Sequence, residues 1–334
     1  MLALSSRLKQ RAKPASPPSS LPVTRPEWQA ALDALPSTPE HIPSFFFGHG
    51  SPMLSWPESK LDDLGPMRPL ADHLGPKGML AAFLRDFGPA LLAKYAPKGI
   101  LVFSAHWETD GERLVTDYGD ENPLLMDYFG FDAEMYELAF SSRGDGALSR
   151  RVAELFQAAG MPARLTTRDE PRGQDGRGFM GPGLDHGVFV PFRLMFGERF
   201  RGIPIVQASI DGSLSPEDNW AVGRAVAQLR REGILVLAGG LTVHNLRDRR
   251  SFIPQTADPI VLAFNDAVSA AISTSDPVAR RKAMVELARH PGFRMAHPRE
   301  DHFVPLYVGA GAGEEGDVRV VSGVYGAQTV AFGI

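Results

Sequence analysis

Gly99-Ile100-Leu101-Val102-Phe103-Ser104-Ala105-His106-Trp107 is the stretch from which the fold can be read. It begins as an unbroken apolar run, too short for a helix, which is the pattern of a strand buried on both faces. It then runs into a histidine. The same arrangement recurs twice. Ser44–Phe47 is an apolar run followed by GHGSPM at 48–53, and Ile234–Ala238 is followed by GGLTVHNLR at 239–247. Buried strands that run into histidines predict a parallel core with chemistry gathered at the strand ends.

Working outward, further strands are predicted over 114–116, 203–209, 318–321 and 329–332. Helical periodicity covers 78–95, 146–159, 217–232, 260–274, 277–290 and 303–309, with a shorter run over 188–196. Strands interleaved with helices of this length indicate an α/β architecture. The expected fold is a single α/β domain over 42–334, with a central mixed β-sheet flanked by helices and a metal site at the strand ends. The Gly- and Pro-rich stretch 169–183 (DEPRGQDGRGFMGPG) reads as a long loop, of the kind that often serves function. Residues 1–40 read as a flexible extension. No acid precedes Glu27, while Arg7, Lys9, Arg11, Lys13 and Arg25 are basic. That composition also suits an organellar transit peptide, although residues 28–35 (WQAALDAL) have the look of a short helix. The stretch lacks the apolar core of a secretory signal, so the cytoplasm is the default compartment.

Composition narrows the function. The 334 residues are 43% hydrophobic and 22% charged, with 35 basic side chains against 39 acidic ones and a formal net charge of −4. This balance argues against a dedicated nucleic-acid binder. No apolar run approaches the ~18 residues of a membrane span. The absence of cysteine removes disulfide scaffolds, thiol nucleophiles, Cys-ligated zinc and iron–sulfur clusters. HExxH, GxSxG and the Walker A loop are missing, and Gly239-Gly240 after a strand is not a GxGxxG, so zincin, serine-hydrolase and nucleotide-binding readings are poor.

Histidine is what remains. Of nine, five share a context. His49, His106 and His244 follow strand-like runs. His186 follows Asp185, a plausible helix N-cap, and a helix N-terminus opposes positive charge there, which suits a neutral acid–base group. His302 lies before Pro305, which fits a first helical turn, with Asp301 as the expected N-cap. His41, His73 and His290 read as structural, and His297 is open between structure and function. Several histidines at strand ends without cysteine suggest a bound metal. Two chemistries stay open: metal-assisted hydrolysis, and oxygen activation at Fe(II).

Five strings in order, GHGSPM at 48–53, SAHW at 104–107, LDHG at 184–187, VHNLR at 243–247 and DHFVPLY at 301–307, resemble the class III extradiol ring-cleavage dioxygenases. The resemblance is to the DOPA dioxygenase branch of the protocatechuate 4,5-dioxygenase superfamily. It implies Fe(II) held by His49, His106 and His302, where many superfamily members have glutamate in the third place. Three imidazoles leave such a site more cationic than a set with a carboxylate. Zn(II) accepts the same ligands, so it can occupy the site without being the working metal. Glu300 and Asp301 are expected to face away. The resemblance further implies His244 as catalytic base and His186 as its acid–base partner. It implies a catechol and O2 as substrates, with DOPA opened to seco-DOPA, a muconic semialdehyde. Arg247 and Asn245 are candidates to meet a substrate carboxylate. Trp107, Tyr128 and Phe129 are candidates to wall an aromatic pocket. Two rivals share the features: a non-catalytic binding protein of the Memo type on the same fold, and a zinc hydrolase. Regiochemistry and oligomeric state are not legible at this level.

Overall fold

The three histidine-terminated runs lie side by side at the centre of one sheet. A computed structural model describes residues 21–37, 40–63, 65, 68–172 and 181–334. The described chain starts with α1 (Arg25–Asp33), β1 (Ser44–Gly48), α2 (Arg68–Leu74), α3 (Met79–Tyr95), β2 (Gly99–Thr109) and β3 (Arg113–Thr116). It continues through β4 (Ser141–Ser142), α4 (Gly146–Ala158), β5 (Ala163–Thr166), α5 (His186–Phe196), β6 (Arg199–Phe200), β7 (Ile205–Asp211) and α6 (Pro216–Val226). It ends with β8 (Ile234–Gly240), α7 (Pro259–Ile272), α8 (Pro277–Glu286), α9 (Phe293–Ala296), α10 (Pro305–Ala312), β9 (Val318–Ser322) and β10 (Thr329–Phe332).

The main sheet has the order β5-β3-β7-β2-β8-β1-β10-β9. Its centre is parallel: β1 with β8, β8 with β2, and β2 with β7. The pairings of β3 with β7, β1 with β10 and β10 with β9 are antiparallel. The sheet is therefore mixed and covered by helices, as expected. Successive side chains of a strand point to opposite faces. Phe45, Phe47, Ile100, Val102, Leu235 and Leu237 accordingly join one core, with Leu84 and Phe87 of α3 and Val188 and Phe192 of α5. Phe46, Leu101, Phe103, Val236 and Ala238 join the other, with Val222 of α6, Phe264 of α7 and Leu306 of α10.

Three expectations change. The strand from Gly99 does not stop at Ser104 but runs to Thr109, so His106 and Trp107 lie inside β2, past a shift in register between Phe103 and Glu108. The folded body also begins earlier than 42. Residues 21–37 are docked: Trp28, Leu32 and Leu35 are buried in the core, and Lys94 donates to the carbonyls of Asp33 and Leu35 at 3.0 and 2.8 Å. The N–H of Gly323 donates to Pro22 O at 2.8 Å. An amphipathic turn with a tryptophan thus contributes to the core, and the flexible reading of 1–40 fails for these residues. Residues 1–20, with the transit-peptide reading, lie outside the described residues, as do 173–180 of the expected loop. Finally, Asp301 does not cap α10, whose N-cap is Val304.

Candidate metal centre

His49 follows β1, His106 lies in β2, and His302 precedes α10. One ring nitrogen of each lies within 4.8 Å of the others. The Nε2 atoms of His106 and His302 are 3.0 Å apart, close enough for both to hold one ion. The backbone fixes the approach. The His49 N–H donates to Gly240 O at 3.1 Å, and the Leu241 N–H donates to His302 O at 2.8 Å. A Cβ on Gly240 would stand 2.5 Å from that same His302 oxygen. Glycine is therefore required where β8 passes the third histidine.

The other two candidates adjoin this cluster. His244 lies face to face with His302, ring centroids 3.5 Å apart. Burial first, and then the neighbouring His302, hold it well below the usual histidine range, which keeps it neutral and able to accept a proton. His186 opens α5, where Asp185 caps the helix by accepting from the Gly187 N–H at 2.9 Å. Its ring centroid is 4.0 Å from that of His106.

Carboxylates surround the histidines, and the sequence did not reveal this. Asp127 Oδ1 lies 2.8 Å from His186 Nδ1 and accepts the His186 N–H at 2.8 Å. Its Oδ2 is 3.4 Å from His106 Nδ1. Burial opposes the charge on Asp127, but His186 and His106 outweigh it and its pKa lies well below the carboxylate range. Asp185 is more than a cap. It accepts from Ser104 Oγ at 2.7 Å, Gln207 Nε2 at 2.6 Å and Arg172 at 2.9 Å, and it stands 3.2 Å from His106 Nδ1. Burial pushes its pKa up, yet Arg172 and these hydrogen bonds bring it down to about 2. Asp301 does not face away: its Oδ2 lies 3.2 Å from His302 Nδ1. Glu300 does turn aside, to Arg294. Arg299 pairs with both Asp301 and Glu108. Among the described residues this makes four carboxylates to two arginines, Arg172 and Arg299, an excess of negative charge that suits a cation.

The substrate-facing candidates fare differently. Trp107 is fully enclosed, donates its indole N–H to Arg172 O at 2.7 Å and lies under the Arg172 guanidinium. It supports the site from inside rather than lining it. Asn245 is tied to backbone: its Nδ2 donates to Met295 O at 2.7 Å and its Oδ1 accepts from Arg247 N at 2.9 Å, so it shapes the loop after β8. Arg247 is exposed beside that loop. Tyr128 is buried, donates its hydroxyl to Met135 O and meets His186 edge-on at 5.5 Å, whereas Phe129 points to solvent with 82% exposure. His297 is buried with Nε2 3.0 Å from Thr242 O and packs against Phe293 and Phe303. Its place is in the core.

Comparison with known proteins points to one family. The model of the family described as the catalytic LigB subunit of aromatic ring-opening dioxygenase matches residues 49–332. A 4,5-DOPA dioxygenase extradiol-like protein of Schizosaccharomyces pombe is 37% identical, covering 92% of this chain and 97% of that one. The 4,5-DOPA dioxygenase extradiol of Escherichia coli K12 is 30% identical over 85% of this chain and 90% of its own. That of Beta vulgaris is 29% identical over 87% and 94%. A crystal structure of an uncharacterized E. coli K12 protein superposes with a TM-score of 0.58 at 26% identity, covering 87% of this chain and all of that one.

Proposed function

The chain belongs to the family of the catalytic LigB subunit of aromatic ring-opening dioxygenases, and on that premise we propose that it opens a DOPA-like catechol with O2 at an Fe(II) held by His49, His106 and His302. It is an extradiol ring-cleaving dioxygenase by family, and the product proposed is a muconic semialdehyde that retains both oxygen atoms. The observation that carries the reading is the convergence of three imidazoles from separate parts of the chain within 4.8 Å. The donor set suits Fe(II) and also zinc. Iron held there would supply the activation of dioxygen.

The chain's own groups supply binding and proton control. Neutral His244, stacked on His302, takes a proton from a catechol hydroxyl as the ring is bound. His186, oriented by Asp127, is placed to return a proton when the ring opens. Such groups typically give ~10²–10⁴-fold each. The exposed guanidinium of Arg247 is the proposed partner of a substrate carboxylate. The DOPA class is suggested by the names of the relatives.

The test is oxygen consumption by metal-stripped protein reloaded anaerobically with Fe(II), then given L-DOPA, caffeate or protocatechuate, beside a zinc-loaded control. One oxygen consumed per catechol, only with iron, and a yellow product support the reading and rank the substrates. No uptake with any catechol, despite tight metal binding, overturns it.

A further inference from the structure

We propose that Asp301 is a positioning residue of the metal centre, supplying through the His302 imidazole the negative charge that a ligand carboxylate supplies directly in two-histidine, one-carboxylate iron sites. The inference rests on the metal-centre reading above and goes beyond it, because it concerns a residue with no place in the donor set. Nε2 of His302 faces His106 at 3.0 Å, so Nδ1 is the outward nitrogen, and Asp301 Oδ2 meets it at 3.2 Å. A carboxylate that accepts the outer N–H of a ligating imidazole fixes its tautomer and strengthens the inner nitrogen as a donor.

The carboxylate is held for this task. It is 7% exposed, and Arg299 lies 3.4 Å from the same oxygen, Oδ2, while also bonding Glu108, two residues beyond His106. The peptide of His302 is pinned by the Leu241 N–H. Asp301 has no competing duty as a helix cap, since α10 is entered through Val304 and the N–H groups of Phe303 and Val304 both donate to Glu300 O. The other carboxylates near the cluster stand at a different histidine: Asp185 and Asp127 lie 3.2 and 3.4 Å from His106 Nδ1, with further bonds to Arg172, Gln207 and Ser104 and to His186.

The arrangement makes two substitutions act with opposite sign. Asp301→Asn removes the charge. Arg299→Met leaves the carboxylate and removes the cation that draws its charge away. The measurements are Zn(II) and Co(II) affinity by chelator competition, the ligand-field spectrum of the cobalt form, and the Fe(III)/Fe(II) potential. Asp301→Asn is expected to weaken metal binding by about 10–100-fold, shift the cobalt bands and raise the potential, and Asp301→Glu to recover most of the affinity. Arg299→Met is expected to move the potential the other way. Should Asp301→Asn fail to fold, Arg299→Met, at a half-exposed side chain, still decides. Overturning results are an Asp301→Asn protein within twofold of the parent affinity with an unchanged potential, or shifts of the same sign in both variants. Because no catechol is involved, a parent protein that binds no metal refutes the metal centre itself. Equal binding by parent and Asp301→Asn refutes only the role of Asp301.

Discussion

His244 and His302 lie face to face, their ring planes 11° apart and their centroids separated by 3.5 Å. The contact puts His244, the proposed base, against an imidazole proposed to hold the metal, and burial first and then His302 lower its pKa. Replacing His244 by alanine should cut turnover by about 10²–10⁴-fold while metal content stays near one per chain. Steady-state rates and metal analysis on the same preparation check this. Preserved turnover would remove His244 from the reaction.

Asp127 ties His186 to His106 through its two oxygens. Asparagine in its place keeps the shape and loses the charge. The expected outcome is a roughly 10–100-fold fall in kcat or metal affinity, the usual cost of losing a carboxylate behind a functional histidine. KM for the catechol should change little, since Asp127 is fully buried. A variant with parental kcat and affinity would show that the pair serves folding alone.

The strands and three of the site histidines could be read locally because buried parallel strands print as short apolar runs. The polar tail of β2 could not, since the alternation in Ser104-Ala105-His106-Trp107 is too short to decide alone, and hydrogen bonding to β7 across an irregular register extends the strand. Asp127 lies in an irregular segment between β3 and β4, and its partner His186 is 59 positions away. Its neighbours Leu125, Met126, Tyr128 and Phe129 are apolar, but nothing local announces a histidine partner. Arg172 belongs to a Gly- and Pro-rich loop that reads as solvent-facing, yet it is enclosed by Asp185, Gln207 and Trp107. The positions of the histidines were local information, while the charges that balance them come from contacts made only when the chain closes up. Two cues were available: Asp185 directly before His186 and Asp301 directly before His302.

Gly187 has no spare room. A Cβ there would lie 2.7 Å from Ser104 Oγ, 2.9 Å from His106 Nδ1 and 3.0 Å from Asp185 Oδ1. Gly187→Ala should displace His106 from its carboxylates, and overpacking of this kind costs about 1–3 kcal/mol. Chelator competition should report weaker metal binding and thermal melting a lower Tm. Parental values of both would mean that the contact is relieved by a small shift of α5 without consequence for the site.

Asp86 on α3 receives α1. Arg25 donates to it through Nε and a terminal nitrogen at 2.9 and 2.8 Å, and Trp28 Nε1 donates at 2.9 Å. Trp28 itself meets Phe83 edge-on at 5.8 Å, and truncating such a buried ring to alanine should cost about 3–5 kcal/mol. Burial raises the Asp86 pKa, but Arg25 and the Trp28 and Gln29 hydrogen bonds outweigh it, so the folded value lies below the unfolded one. The sign follows. The contribution is fully present above the unfolded pKa of about 3.9 and is lost as pH falls through the folded value. Between about pH 5 and pH 3, the parent protein should therefore lose stability more steeply than Asp86→Asn, with activity near neutral pH equal in the two. Denaturant melts across that range check the difference in slope. Parallel curves would mean that α1 is held by Trp28 and its apolar neighbours without help from the charge.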